Sequence, residues 1–121
     1  MFAGSVKSNY GYRCAVTGIA TKEFLDAAHI VPWGDDPSIR WGPSNGICLS
    51  LIVDKAFEEG FLTIEDDLTV RVVRERIKED AALLSLLEPH DGKKLNAPTS
   101  EPPKPEYLQR RRQLVGHQTT D

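Results

Sequence analysis

Four residues stand at spacings that suit hydrolysis of a phosphodiester. His29 lies late in the apolar run "LDAAHIVPW", and Asn45 lies in "SNG" at the mouth of a second apolar run. Asp54 and Glu58 follow in "LIVDKAFEEG", four apart, so on a helix both project from one face. An imidazole with a pKa of about 6.5 can take a proton from water at neutral pH. Its other nitrogen needs an orienting partner, and the Asn45 carboxamide oxygen can supply one. Two carboxylates at helical spacing can hold a divalent cation, which would stabilise charge on the phosphate and the leaving oxygen. Oxygen ligands with room for water suit Mg²⁺ or Mn²⁺.

These residues need a strand, a loop, a short strand and a helix to bring them together. "FLDAAHIVP" reads as an apolar strand ended by Pro32. Residues 34–46, "GDDPSIRWGPSNG", are rich in Gly, Pro, Asp, Ser and Asn and read as a long loop. "ICLS" is a brief strand, and "LIVDKAFEEG" is a helix closed by Gly60, with Ile52, Ala56 and Phe57 at helical spacing. Upstream, "FAGSVKSNYG" reads as a short helix and "CAVTG" as a short strand. Downstream, "FLTI" and "LTVRVV" around "EDD" read as a β-hairpin. "RERIKEDAALLSLLEP" reads as one amphipathic helix with Ile77, Ala81, Leu84 and Leu87 on its apolar stripe. Residues 89–105 are a Pro-rich linker or surface-crossing segment, and "EYLQRRRQLVG" is a short final helix.

"YGYRCAVTG", "DAAHIVPW", "NGICLS" and "DKAFEEGFLTI" together resemble the HNH endonuclease superfamily. The likeness is to its bacterial restriction-type branch with an "AHI…NG…AFD-G" pattern. It runs from about Phe2 to Val73, and "EYLQRRR" is similar to the family's C-terminal helix. The resemblance implies an α+β fold, with a ββα-metal (HNH, or His-Me finger) core flanked by helices and a β-hairpin. The expected division is a nuclease domain over 1–88 with its ββα core at about 25–59. Residues 89–121 are then a linker and a helix packing on the same domain. By resemblance His29 is the general base, Asn45 positions it and ties the loop, and Asp54 and Glu58 are metal ligands. The sequence departs from the pattern at Val53, where many relatives carry His, and at Ala28, where other branches carry Asp or His. Both changes remove a ligand, and Asp26 is the carboxylate that could be recruited instead.

The family implies double-stranded DNA as substrate, Mg²⁺ or Mn²⁺ as cofactor, and nicking by a single site. A double-strand break then calls for a homodimer or a second encounter. The abrupt start suggests that a further domain supplies target recognition. Arg40, in the loop, is the expected phosphate contact, with Arg13, Lys22 and Lys55 as further basic residues near the site. Trp33 and Trp41 flank the loop and either brace it or touch DNA sugars, packing being the commoner use. The formal net charge of −3 argues against a non-specific DNA binder, though not against a local basic face. Arg110, Arg111 and Arg112 read as a solvated helix end. The two cysteines, Cys14 and Cys48, cannot alone close a zinc site, so no structural zinc is expected and both read as small buried hydrophobes. No apolar run has the roughly 20 residues of a membrane span, and the expectation is a cytoplasmic protein. Two rival readings remain: an HNH-fold DNA-binding module that has lost its chemistry, and a protein-interaction domain.

Overall fold

In the computed structural model, residues 1–119 are described, with side chains described as far as Gly116. Strand β1 (Leu25–His29) pairs antiparallel with β2 (Gly46–Ser50), and helix α2 (Leu51–Glu59) follows at once. This is the ββα unit. In the pairing His29 stands opposite Gly46 and Leu25 opposite Ser50. Every residue of β2 is buried, as befits a strand covered on both faces.

Helix α1 (Phe2–Asn9) packs across this pair. Gly46 makes the close approach possible. A Cβ there would lie 2.8 Å from Phe2 Cζ and would collide with Val6. α2 ends at Gly60, whose φ of 82° gives the left-handed cap that an L side chain resists. Its buried face is Val53, Ala56 and Phe57, whereas Ile52, expected on that stripe, is 45% exposed. The inward register therefore starts one residue later than the sequence suggests.

A hairpin of β3 (Leu62–Ile64) and β4 (Val70–Val72) follows. Two shorter helices, α3 (Arg74–Ile77) and α4 (Ala81–Leu87), replace the single helix expected there. Lys78 takes φ 37°, and the Asp80 carboxylate accepts from the Leu83 N–H at 3.0 Å, capping a new helix start. On the expected stripe Ile77 and Leu87 are buried, but Ala81 is exposed. "CAVTG" is likewise not a strand. It is a turn in which the Gly18 N–H reaches the Cys14 carbonyl at 2.9 Å and the Thr17 N–H reaches Cys14 Sγ at 3.3 Å. Cys14 and Cys48 are both buried, free thiols.

The segment after α4 crosses the body as an extended tie. Thr69 bridges Lys94, the Asn96 N–H donates to the Ala15 carbonyl, and Asn9 Oδ1 accepts from the Ser100 N–H at 2.9 Å. It delivers the last helix, α5 (Pro105–Thr119), back to the ββα unit. This helix is longer than "EYLQRRRQLVG", and the side chain of His117 lies outside the described residues. Among the described residues, no helix is long and apolar enough to cross a membrane.

Candidate active site

β1 stops pairing at His29, and the chain leaves the sheet still buried. Ile30 and Val31 are almost wholly enclosed, so their backbone groups need partners. Asn45 supplies most of them. Its main-chain carbonyl accepts from the Ile30 N–H at 2.9 Å. Its carboxamide oxygen accepts from the Val31 N–H at 2.8 Å, and its Nδ2 donates to the Val31 carbonyl at 3.1 Å. Asn45 is fully buried and reads the backbone just past His29 rather than the imidazole. The sequence-based expectation that its side chain orients the ring is corrected here, because the carboxamide is already spent on Val31.

The ring of His29 is held by two other groups. Nε2 lies 3.0 Å from the Arg40 carbonyl, across the loop. A carbonyl only accepts, so in the neutral imidazole Nε2 carries the proton and Nδ1 keeps its lone pair. The Phe2 ring stacks on the imidazole, with centroids 4.1 Å apart and planes 7° from parallel. The sequence offered no sign of either contact, since both partners are remote or are backbone atoms.

A cavity of ≈ 310 Å³ opens beside this histidine, and its wall includes Ala28, His29, Trp33, Asp54, Glu58 and Arg111. Asp54 and Glu58 thus reach the same space as His29. Asp26 lies against Asp54, within hydrogen-bonding reach of its carboxyl. Burial pushes the Asp54 carboxyl up to about 7, reinforced by the hydrogen bond and charge of Asp26 and by Glu58, with Arg111 opposing. Glu58 is more open and faces the Lys55 ammonium at 3.5 Å. Among the described residues, no three His, Cys, Asp or Glu side chains converge into a ready-made metal cluster. The donor set is a pair of hard carboxylates. That pair fits a cation that keeps several waters and takes one or two protein ligands. Val53 is 1% exposed and faces the core, so the residue at that position does not point into the cavity. Ala28 does line it and brings no ligand.

Arg111 is the residue that sequence reasoning missed. It is 6% exposed, not a solvated helix-end cation. Its Nε donates to the Ile30 carbonyl at 2.7 Å, one terminal nitrogen donates to the His29 carbonyl at 3.0 Å, and the other reaches the Glu58 carbonyl at 3.4 Å. Its guanidinium lies 5.3 Å from the centre of the Phe57 ring. One side chain from α5 therefore spans the end of β1 and the end of α2. Neighbouring Arg112 binds the Ile64 carbonyl and Asp66, both at 2.6 Å, and Arg110 pairs with Asp36 at 3.2 Å. Only a count of how many arginines a 15-residue helix must bury could have hinted at this.

Of the expected phosphate contacts, Arg40 stands at the cavity's edge with its guanidinium 3.8 Å over the Trp33 ring. Lys55 is tied to Glu58 and Glu59, and Arg13 and Lys22 are exposed but do not line the cavity. Trp33 and Trp41 do not pack into the core. They are 50% and 62% exposed and meet each other edge to face at 6.2 Å.

Residues 14–65 match the sequence pattern of a family described as HNH endonuclease. A comparison with curated proteins finds no significant match. Among solved structures, one described as "Modification dependent TagI restriction endonuclease" shares the fold with a TM-score of 0.61 at 22% identity. The alignment covers 94% of this chain and 37% of that one, so the chain spans little over a third of that protein. The matched segment, which carries the ββα unit, and the shared fold together support membership of the HNH endonuclease superfamily.

Proposed function

We propose that this chain is a metal-dependent DNA endonuclease that hydrolyses one phosphodiester at the cavity beside His29. The observation that carries the reading is the state of His29. Its Nε2 is committed to the Arg40 carbonyl, and the residue lines the same cavity as Asp54 and Glu58. His29 Nδ1 takes the proton from the attacking water, the step for which an imidazole is suited near neutral pH. Phe2 holds the ring plane, and Asn45 holds the turn that carries it.

Asp54 and Glu58, the two carboxylates of the cavity wall, would hold Mg²⁺ or Mn²⁺, with Asp26 against Asp54. When bound, the cation supplies positive charge to the phosphate and the departing 3′ oxygen. Arg111 adds fixed positive charge to the same wall. One such centre cuts one strand, so a double-strand break takes two copies or two encounters. The neighbour described as a restriction endonuclease supports a setting in restriction or defence. We assign target choice to a domain beyond this segment.

The test is nicking of supercoiled plasmid in Mg²⁺ or Mn²⁺, wild type against His29→Ala. Wild type should produce open circles, and the variant should be slower by about 10²-fold or more. A wild-type protein that leaves the plasmid intact in Mg²⁺, Mn²⁺, Ni²⁺ and Zn²⁺ would end the hydrolytic reading. Ala28 in the cavity wall favours the second reading, a DNA-binding module without chemistry. In that case a gel shift should persist and weaken as salt rises.

A further inference from the structure

The loop between β1 and β2 carries an arrangement that neither folding nor hydrolysis uses. Both tryptophans of the chain are in it, and both are at least half exposed. Trp33 lines the cavity, while Trp41 stands edge-on to it and further out in solvent. Arg40 lies between them in sequence and stacks on Trp33. Among the described residues no ion pair joins its guanidinium to a carboxylate, and its Nε is buried with no acceptor. A cation partly withdrawn from water without a counter-charge is costly unless an anion completes it. Two large exposed indoles beside it offer flat apolar surface. An aromatic plane next to an uncompensated guanidinium matches the two halves of a nucleotide, its base and its phosphate.

We propose that Trp33, Arg40 and Trp41 form a nucleotide clamp on the rim of the cavity. An unpaired base of the DNA strand stacks on Trp41, and its phosphate pairs with Arg40. Continuity with the cavity fixes the occupant as the strand being cut, so the proposal rests on the nuclease reading for its substrate. It gives the enzyme a preference for DNA with an unstacked nucleotide beside the scissile phosphate. The clamp also reaches the chemistry, because the residue that holds the phosphate holds His29 through its own carbonyl. Stacking on an aromatic side chain discriminates a base from its absence, whereas a phosphate contact alone does not.

Because both tryptophans of the chain lie in this loop, its tryptophan fluorescence, excited selectively over tyrosine, reports on this loop alone. The experiment titrates metal-free protein in chelator with four DNAs: a single strand, a perfect duplex, a duplex with one bulged nucleotide, and the same duplex with an abasic bulge. The single strand and the base-bearing bulge should quench the fluorescence and bind about ten-fold more tightly than the perfect or abasic duplex. Trp41→Ala should erase that difference, and Trp41→Phe should keep most of it. Trp41 is exposed, so neither change threatens the fold. The clamp is overturned if base-bearing and abasic bulges bind wild type within about two-fold of each other, or if Trp41→Ala still separates them. No cleavage is needed. A protein that distinguishes the bulges yet never nicks plasmid keeps the clamp and loses the nuclease reading. One that nicks but does not distinguish them keeps the nuclease reading and loses the clamp.

Discussion

Replacing Arg111 by Met keeps the length and apolar stem of the side chain and removes the fork that ties α5 to the end of β1. Two of its three bonds are short, at 2.7 Å to Ile30 and 3.0 Å to His29, and the third, 3.4 Å to Glu58, is too long to count for much. A hydrogen bond from a charged donor contributes about 1.5–3 kcal/mol, so the two good ones hold about 3–6 kcal/mol. Releasing a buried guanidinium from its desolvation returns part of that. The partners are neutral carbonyls at a buried chain segment, and they stay behind unpaired. We therefore expect a net loss of about 2–3 kcal/mol, or roughly 10 °C in melting temperature for a chain of this size. Urea unfolding reads it as a lower midpoint at unchanged slope. Arg112→Met is the companion, since it loosens the same helix at Ile64 and Asp66 without touching His29. The Arg111 variant should lose nicking turnover beyond what its stability explains, and the Arg112 variant should not. If Arg111→Met matched wild type within about 0.5 kcal/mol, or exceeded it, burying the guanidinium would have cost as much as its bonds return, and Arg111 would not stabilise the end of β1.

Two glycine substitutions should have opposite signs. Gly46→Ala drives a methyl into Phe2 and Val6, so it should destabilise by about 1–3 kcal/mol and also disturb the Phe2–His29 stack, seen as lower plasmid nicking. Gly4→Ala, inside α1 with open space around it, should stabilise by about 0.5–1 kcal/mol in the same denaturation assay. Asn45→Ala removes both side-chain bonds to Val31 and should cost about 2–4 kcal/mol, with exchange of the Val31 amide proton accelerating. Val53→His, which restores the commoner family residue in sequence, should not tighten Mn²⁺ binding by calorimetry. It places an imidazole in the core and should lower the melting temperature instead.

The ββα order was legible because it is written locally. An apolar run, a Gly- and Pro-rich stretch, a second run and a Gly-capped helix each carry their own signal, and 25–29, 46–50 and 51–59 follow it closely. Local signals also misled. "CAVTG" has strand-like residues but closes on itself through Cys14, and the apolar periodicity across 74–89 gave no warning that Asp80 would start a new helix. For the site, sequence spacing named His29, Asp54 and Glu58, which do share one cavity. How they are held was not readable. The Arg40 carbonyl carries no residue-type signature, and Phe2 and Arg111 lie 27 and 82 positions from His29 along the chain. Types and spacings determined which groups could do chemistry here. The folded chain decided which nitrogen of His29 is free, which side of α2 faces the cavity, and which arginine is buried. Those outcomes depend on packing between the two ends of the chain, and no local pattern encodes it.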